Sequence, residues 1–318
     1  MLRSLRPRAA RPACASALVF LLLCAGCGPP EPAAPAPGSV RLRVATWNVH
    51  DLFDESDDPL TEDPVPRHAT VERKLARVGA VLARLDADVV VLQEVEHLGL
   101  LERLARGPLA PLGYAHLHLV EGRDPRGIDV GVLSRLPFTR LVSHLADRDA
   151  SGGHLFARDL AEVHLSVAGR EVALLGAHLA SRREPQDALR AAQAGRVAEI
   201  AGALLDASPG ALVLVAGDLN DGPAAVPLWP LLGDPRLADP AAALPASLSY
   251  TYSPPRYRGR LDYLLVSRNA LDWLSDLEVV GGADVDAASD HRPVVIELTV
   301  PPQPSVAVSA GPAPPCPG

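Results

Sequence analysis

The 318-residue sequence is poor in cysteine and lysine, with four cysteines and a single lysine, Lys74. Cys14 and Cys24 lie in the N-terminal segment and Cys316 in a proline-rich end, so neither a disulfide framework nor a cysteine metal site can hold the folded part together. No Gly-x-Ser-x-Gly, P-loop or His-Glu-x-x-His sequence occurs. The corresponding serine hydrolase, nucleotide hydrolase and zinc protease chemistries are therefore not indicated.

The sequence also lacks a surplus of basic residues, because 38 acidic against 30 basic residues give a formal charge of -8. An acidic chain cannot coat a polyanion by charge alone, so any contact with nucleic acid or phospholipid headgroups must be local or mediated by a metal. With 48% hydrophobic and 21% charged residues, the composition is that of a globular protein.

The two ends of the chain differ from its middle. Basic residues, a short apolar run and small residues precede Cys27, an order typical of a secretory signal over residues 1–26. It resembles a bacterial lipoprotein signal, which implies a lipid on Cys27 and anchoring to a membrane, with the outer membrane or cell surface favoured. The alternative is an ordinary cleaved signal and a secreted protein. Residues 27–40 form a Pro/Ala-rich linker and residues 301–318 a Pro-rich tail.

Residues 41–300 alternate between apolar runs of strand length and helical patterns, which predicts one α/β domain with mixed sheets. The long segments are predicted as helices over 71–85 and 186–205, and residues 160–177 as a hairpin turning at Ala168-Gly169. We find no repeat, and we expect a monomer.

Polar side chains stand at the ends of six predicted strands. In open α/β sheets such positions form ligand crevices. One instance is easily a helix cap or a turn, but six carboxylate, amide or imidazole positions indicate a site. The oxygen donors favour Mg²⁺ or Mn²⁺, with Ca²⁺ as an alternative, over zinc. The residues are Asn48, Glu94, His178, Asp218, Asn220, Asp262, Asp290 and His291.

The same segments resemble the ordered motifs of the endonuclease/exonuclease/phosphatase family. They are Thr46-Trp-Asn-Val, Gln93-Glu-Val, Gly217-Asp-Leu-Asn, Arg260-Leu-Asp-Tyr and Ser289-Asp-His-Arg-Pro-Val. The resemblance implies a four-layer sandwich of two packed mixed β-sheets flanked by helices. It also implies metal-dependent hydrolysis of a phosphate ester.

The resemblance assigns roles residue by residue. Glu94 would be the principal metal ligand, with Asn48 and Asp290 beside the metal. Asp218 would orient or deprotonate the attacking water, and Asn220 would contact a phosphate oxygen. The resemblance further implies that His291 faces the phosphate and is held by Asp262, and that His178 is the second active-site histidine of the deoxyribonuclease branch.

Substrate contacts are less constrained by the sequence. Arg123 and Arg126 lie in a Gly122–Asp129 loop and could meet a phosphate, or form a solvated turn. Tyr252 could stack on a base, or pack at an edge. In pancreatic-type nucleases an acidic residue supports the second histidine; no motif fixes it here, and Asp129 is the candidate. The acidic segment 51–63 is predicted as an exposed loop, with calcium binding as the alternative.

Several functions stay open at this point. A nuclease is favoured by His178 and the arginine-bearing loops. A sphingomyelinase-like phospholipid phosphodiesterase would suit a membrane-tethered enzyme, but four Phe and three Trp leave no aromatic-rich hairpin to enter a bilayer. A phosphomonoesterase is the third reading, and a catalytically inactive binding protein on the same scaffold is the fourth.

Overall fold

Twelve strands in the described part of the chain form two six-stranded sheets that pack face to face. The computed structural model describes residues 36–183 and 185–304. The predicted signal segment, Cys27 and residues 305–318 lie outside them. The strands are β1 (Val40–Leu52), β2 (Val89–Val95), β3 (His116–Leu119), β4 (Asp129–Ser134), β5 (Arg140–Ser143), β6 (Ala161–Val167), β7 (Arg170–His178), β8 (Leu212–Asp218), β9 (Leu237–Ala238), β10 (Asp262–Ser267), β11 (Leu274–Val279) and β12 (Val294–Val300).

Each sheet is mixed. The first has the order β11-β12-β1-β2-β4-β3 and the second β5-β6-β7-β8-β10-β9. One pair in each sheet is parallel, β1 with β2 and β7 with β8. Because parallel neighbours end at the same edge of a sheet, each parallel pair brings two strand ends, and the loops after them, to one place.

The alternation of side chains along the strands builds two apolar layers at once. In β2, Val89 and Val91 face the other sheet, where Leu174 and Leu214 belong to the same buried cluster. The intervening Val90 packs toward the helices on the outside. Both faces of the central strands are therefore buried, which explains why they read as continuous apolar runs.

Helices cover the two outer faces. Val78 and Leu82 of α1 pack on the first sheet, and Val197 and Ala201 of α3 pack on the second. The result is the four-layer sandwich that the sequence predicted. The helices are α1 (His68–Leu85), α2 (Leu98–Arg106), α3 (Asp187–Ala207), α4 (Trp229–Leu232), α5 (Ala246–Ser249) and α6 (Ala283–Ala288).

The predicted elements are present with small shifts at their ends. Helix α3 begins one residue later and ends two residues later than predicted, and β1 continues past Val49 to Leu52. The hairpin of β6 and β7 turns at Ala168 and Gly169, both with positive φ, as a two-residue turn requires. Within the described ranges, no helix combines the length and apolar character needed to cross a bilayer.

Candidate active site

Strand register places three of the predicted residues in one row across the second sheet. Asp218 at the end of β8 lies opposite His178 of β7 on one side and Asp262 of β10 on the other. All three side chains are buried. The row therefore follows from strand pairing alone, although the three residues are far apart in sequence.

The first sheet supplies the facing row. Asn48 of β1 is paired with Gln93 of β2, and Glu94 follows directly. The Asn48 Nδ2 group donates to Glu94 Oε1 at 3.2 Å and to Asp218 Oδ2 at 3.1 Å. One amide thus connects the two sheets at the point where their polar rows meet.

The backbone around these residues is unusual in a way that the motifs explain. Gly217 has a φ of 153°, and a Cβ built there would lie 1.8 Å from the carbonyl oxygen of Ala177, so only glycine fits before Asp218. Glu94 and Asn220 have positive φ values of 64° and 56°. Such strain in residues other than glycine is concentrated at functional sites.

His291 and Asp262 form a buried ion pair, with 2.8 Å between Nδ1 and Oδ2. The His291 ring lies against Tyr252, with 4.9 Å between ring centroids, and the His291 carbonyl accepts from Trp47 Nε1. Burial opposes protonation of the ring, but the charge and hydrogen bond of Asp262 outweigh it and raise the pKa of His291 to about 10. His291 is therefore a cation at neutral pH.

Asp218 lies between the two histidines, with its Oδ2 atom 3.9 Å from His291 Nε2 and 3.7 Å from His178 Nε2. Burial, and then the charge of Asp262, raise the pKa of Asp218 to about 7. A carboxylate with such a pKa can accept a proton near neutral pH, which is what a general base must do. Asn220 donates its backbone N–H to Asp218 Oδ1 at 2.8 Å and fixes its orientation.

His178 occupies the predicted position but has a different neighbour from the one expected. Its Nδ1 atom has no hydrogen-bond partner among the described residues. Burial and the Arg158 guanidinium lower its pKa well below the ordinary value. The expectation that Asp129 supports it is wrong, since both Asp129 oxygens accept from the N–H of Gly122. His178 is therefore a neutral ring beside a buried cation.

Glu94, His178, Asp218, Asn220 and His291 line one cavity of about 860 Å³. Arg126 and Tyr252, predicted as substrate contacts, also line it. Arg123 is not among the lining residues, because its guanidinium turns away and donates to the carbonyl of Leu145 at 2.8 Å. The expected substrate contact by Arg123 is thus not part of this cavity. Arg182 and Tyr257 also line the cavity.

A model described as "Endonuclease/Exonuclease/phosphatase family" matches residues 45–291. The chain belongs to this family. A search among curated proteins gives no match.

Solved structures of this fold are similar over most of the chain. The human Nocturnin catalytic domain with bound sulfate is 18% identical, with a TM-score of 0.61, over 84% of this chain and 96% of that one. Truncated TDP2 from Caenorhabditis elegans is 19% identical, with a TM-score of 0.59, over 82% and 98%. Beta toxin from Staphylococcus aureus is 18% identical, with a TM-score of 0.57, over 80% and 99%. At these identities the similarity establishes the fold.

Members of the family typically are metal-dependent phosphoesterases, so the donor set must be tested against a divalent cation. Asp51 and Glu94 are crowded together: burial and the Glu94 carboxylate raise the pKa of Asp51. Arg126 approaches both, at 2.9 Å from Asp51 and 3.8 Å from Glu94. Crowded carboxylate oxygens are what Mg²⁺ takes as ligands. Asn48 orients Glu94 through its Nδ2 group, while its Oδ1 atom accepts from the N–H of His50 at 2.9 Å. The residues therefore fit a divalent cation.

A second group of possible ligand atoms fits a cation less well. The ligand atoms of Asp218, Asp262 and His291 lie within 4.8 Å of one another. However, the protonated His291 ring already neutralises Asp262. Glu94 and Asp51 are thus the better pair for a metal in this family member, with Asn48 holding Glu94 in place and Asp290 lining the same cavity as Glu94.

Sequence reasoning missed three groups at this site. Asp51 was assigned to the exposed acidic segment, but it lies in β1 and donates its backbone N–H to Glu94 Oε2. His50 forms a 2.8 Å ion pair with Asp290. Arg158 is buried, and its Nη1 pairs with Asp124 at 3.1 Å. For Asp51 and His50 the proximity to Asn48 was an available signal, whereas nothing in the sequence marks Arg158.

Proposed function

We propose that this protein is a divalent-metal-dependent phosphodiester hydrolase that cleaves nucleic acid by attack of water at phosphorus. The observation that carries the proposal is the pairing of a buried carboxylate of pKa about 7, Asp218, with His291, which is protonated at neutral pH, in one cavity. A base and a cation side by side supply what phosphoryl transfer to water requires.

The protein's own groups then have distinct tasks. Asp218, 3.9 Å from His291, orients the water and takes its proton as the new phosphorus–oxygen bond forms. The bond from phosphorus to the leaving sugar oxygen breaks, and that oxygen takes up a proton from solvent. The His291 Nε2–H donates to a phosphate oxygen, while Asp262 on Nδ1 keeps the ring protonated. Asn220 offers a second donor to the phosphate. When bound at Glu94 and Asp51, a divalent cation would neutralise charge on the non-bridging oxygens.

The mouth of the cavity favours nucleic acid as the substrate. Arg182 and Arg183 lie on its rim together with Tyr252 and Tyr257, the last with 70% of its surface exposed. Guanidinium groups bind neighbouring phosphates and exposed aromatic rings stack on bases. The quaternary ammonium of a zwitterionic phosphocholine headgroup would instead be repelled by these arginines. Sphingomyelin-type lipids and phosphate monoesters therefore remain the second candidates.

We also propose that the enzyme is exported and anchored by a lipid on Cys27, and that it acts as a monomer. Val40, where the described domain leaves the linker, lies at the opposite end of β1 from Asn48. Eight residues of extended strand separate them by about 26 Å. The predicted tether therefore joins the domain at the end of β1 remote from Asn48.

The proposal is tested by incubating the purified full-length chain with supercoiled plasmid and Mg²⁺, with and without EDTA. His291→Ala should lose nicking, and His68→Ala should keep it because His68 lies at the surface against Glu55. Nicking that persists in EDTA or in His291→Ala would contradict the proposal. If folded wild-type protein does not nick DNA or RNA, sphingomyelin vesicles and phosphate monoesters are assayed next. Inactivity on all of them would support a binding protein.

A further inference from the structure

Lys74 is the single lysine of the chain, and its amine lies beside the metal-binding half of the site. It belongs to α1, and burial lowers its pKa to about 8 although Asp51, Glu94 and Asp290 oppose that effect. A half-buried ammonium among three carboxylates is costly unless its hydrogen bonds are satisfied. The partners it uses are therefore informative.

Both described partners of the amine are backbone carbonyls from segments that carry site residues. Nζ donates to the carbonyl of His50 at 2.8 Å and to that of Ala288 at 2.6 Å. His50 and Asp51 both have positive φ values, of 56° and 57°. Ala288 is the last residue of α6, two residues before Asp290. One amine thus joins the strained end of β1 to the segment that leads into Asp290.

The position of the charge matters as well as the hydrogen bonds. Without a cation nearby, Asp51, Glu94 and Asp290 would repel one another and separate. A fixed ammonium on their outer side counters that repulsion, while Arg126 approaches from the cavity side. Groups behind the metal ligands that hold them in place commonly determine metal affinity.

We propose that Lys74 is a positioning residue that preorganises the Asp51, Glu94 and Asp290 carboxylates for a divalent cation. The inference rests on the proposed function, because it concerns the same metal site. Lys74 does not touch substrate or the reacting atoms. Its effect passes through the backbone of His50 and Ala288.

The test measures Mg²⁺ binding to the full-length protein by isothermal titration calorimetry, without substrate. Lys74→Met should weaken the dissociation constant about 10- to 100-fold, the range found when groups behind metal ligands are removed. Lys74→Arg should stay within about threefold, since a guanidinium can donate to both carbonyls. Arg73→Met is the matched control. Arg73 lies on the same helix and donates to Thr70 Oγ1 of that helix at 3.1 Å, so its loss should leave Mg²⁺ affinity unchanged.

Thermal unfolding in EDTA distinguishes an effect of Lys74 on the metal ligands from an effect on folding. We expect Lys74→Met to unfold near the wild-type temperature in EDTA but to be stabilised less by added Mg²⁺. If Lys74→Met does not fold, Lys74→Gln is compared with Lys74→Arg in the same way. If the folded variant, Lys74→Met or otherwise Lys74→Gln, binds Mg²⁺ with the wild-type dissociation constant, the inference is overturned. Plasmid nicking by the wild-type protein would still support the proposed function in that case. A wild-type protein that binds no Mg²⁺ would overturn both.

Discussion

Replacing Asp262 by Asn tests the electrostatic core of the site directly. The substitution keeps the shape of the side chain but removes the charge that is 2.8 Å from His291 Nδ1. Asp262 and His291 are both buried, at 1% and 6% exposure, so water cannot replace the lost partner. We expect His291 to become neutral at physiological pH and plasmid cleavage to fall by about 10²- to 10⁴-fold, the usual contribution of a positioned acid or base.

The loss in free energy of unfolding that we expect for Asp262→Asn follows from the raised pKa of His291. At 1.36 kcal/mol per pKa unit, the difference between about 10 and the ordinary 6.5 corresponds to about 5 kcal/mol. This is close to the 3–5 kcal/mol commonly lost when one partner of a buried pair is removed. Because the folded-state pKa is raised, the contribution is fully present below pH 6.5 and is lost as the pH rises through 10. At pH 7.5 about 3 kcal/mol should remain.

Urea unfolding of wild type and Asp262→Asn in EDTA at pH 6, 7.5 and 10 measures this directly. The difference in the free energy of unfolding should shrink from about 5 kcal/mol at pH 6 toward zero at pH 10. Nitrogen chemical shifts of His291 should show a protonated ring at pH 8 in wild type only. Asp239→Asn, which breaks a pair with Arg260 away from the cavity, should keep activity. A difference that does not depend on pH would refute the reasoning.

Other substitutions test neighbouring parts of the argument. Asp218→Asn should abolish cleavage yet raise the free energy of unfolding at pH 8 by up to about 4 kcal/mol. The reason is that the raised pKa of Asp218 makes the wild-type protein lose stability as the pH rises from 3.8 to about 7. A lower free energy of unfolding for the variant in urea would contradict this. Gly217→Ala should lower the free energy of unfolding by about 3–5 kcal/mol, since the new Cβ would lie 1.8 Å from the carbonyl oxygen of Ala177. An unchanged midpoint of urea unfolding would contradict this. Arg158→Met should lower kcat/KM on an oligonucleotide about 10- to 100-fold and raise the pKa of His178 in an NMR titration, whereas an unmoved pKa would show that burial alone controls His178.

The site was predictable wherever a motif coincides with a strand end. Asp218, His178 and Asp262 end or begin apolar runs, and the pairing of those runs brings the three residues into register. Their types indicated the chemistry before any geometry was known. Asp51 was misassigned because a run of acidic residues looks like a solvated loop. Strand β1 extends to Leu52 and so includes Asp51, the first residue of that acidic run, whose backbone N–H donates to Glu94.

The sequence by itself determined the order of the helices and strands and the identity of the polar residues at their ends. It could do so because side-chain periodicity and turn chemistry act locally. Only the tertiary structure decided which of those residues acquire unusual charge states. The neutral His178, the protonated His291 and the placement of Lys74 depend on burial and on partners at least 20 residues away in sequence. Such contacts arise when two sheets close over each other, and no local pattern encodes them.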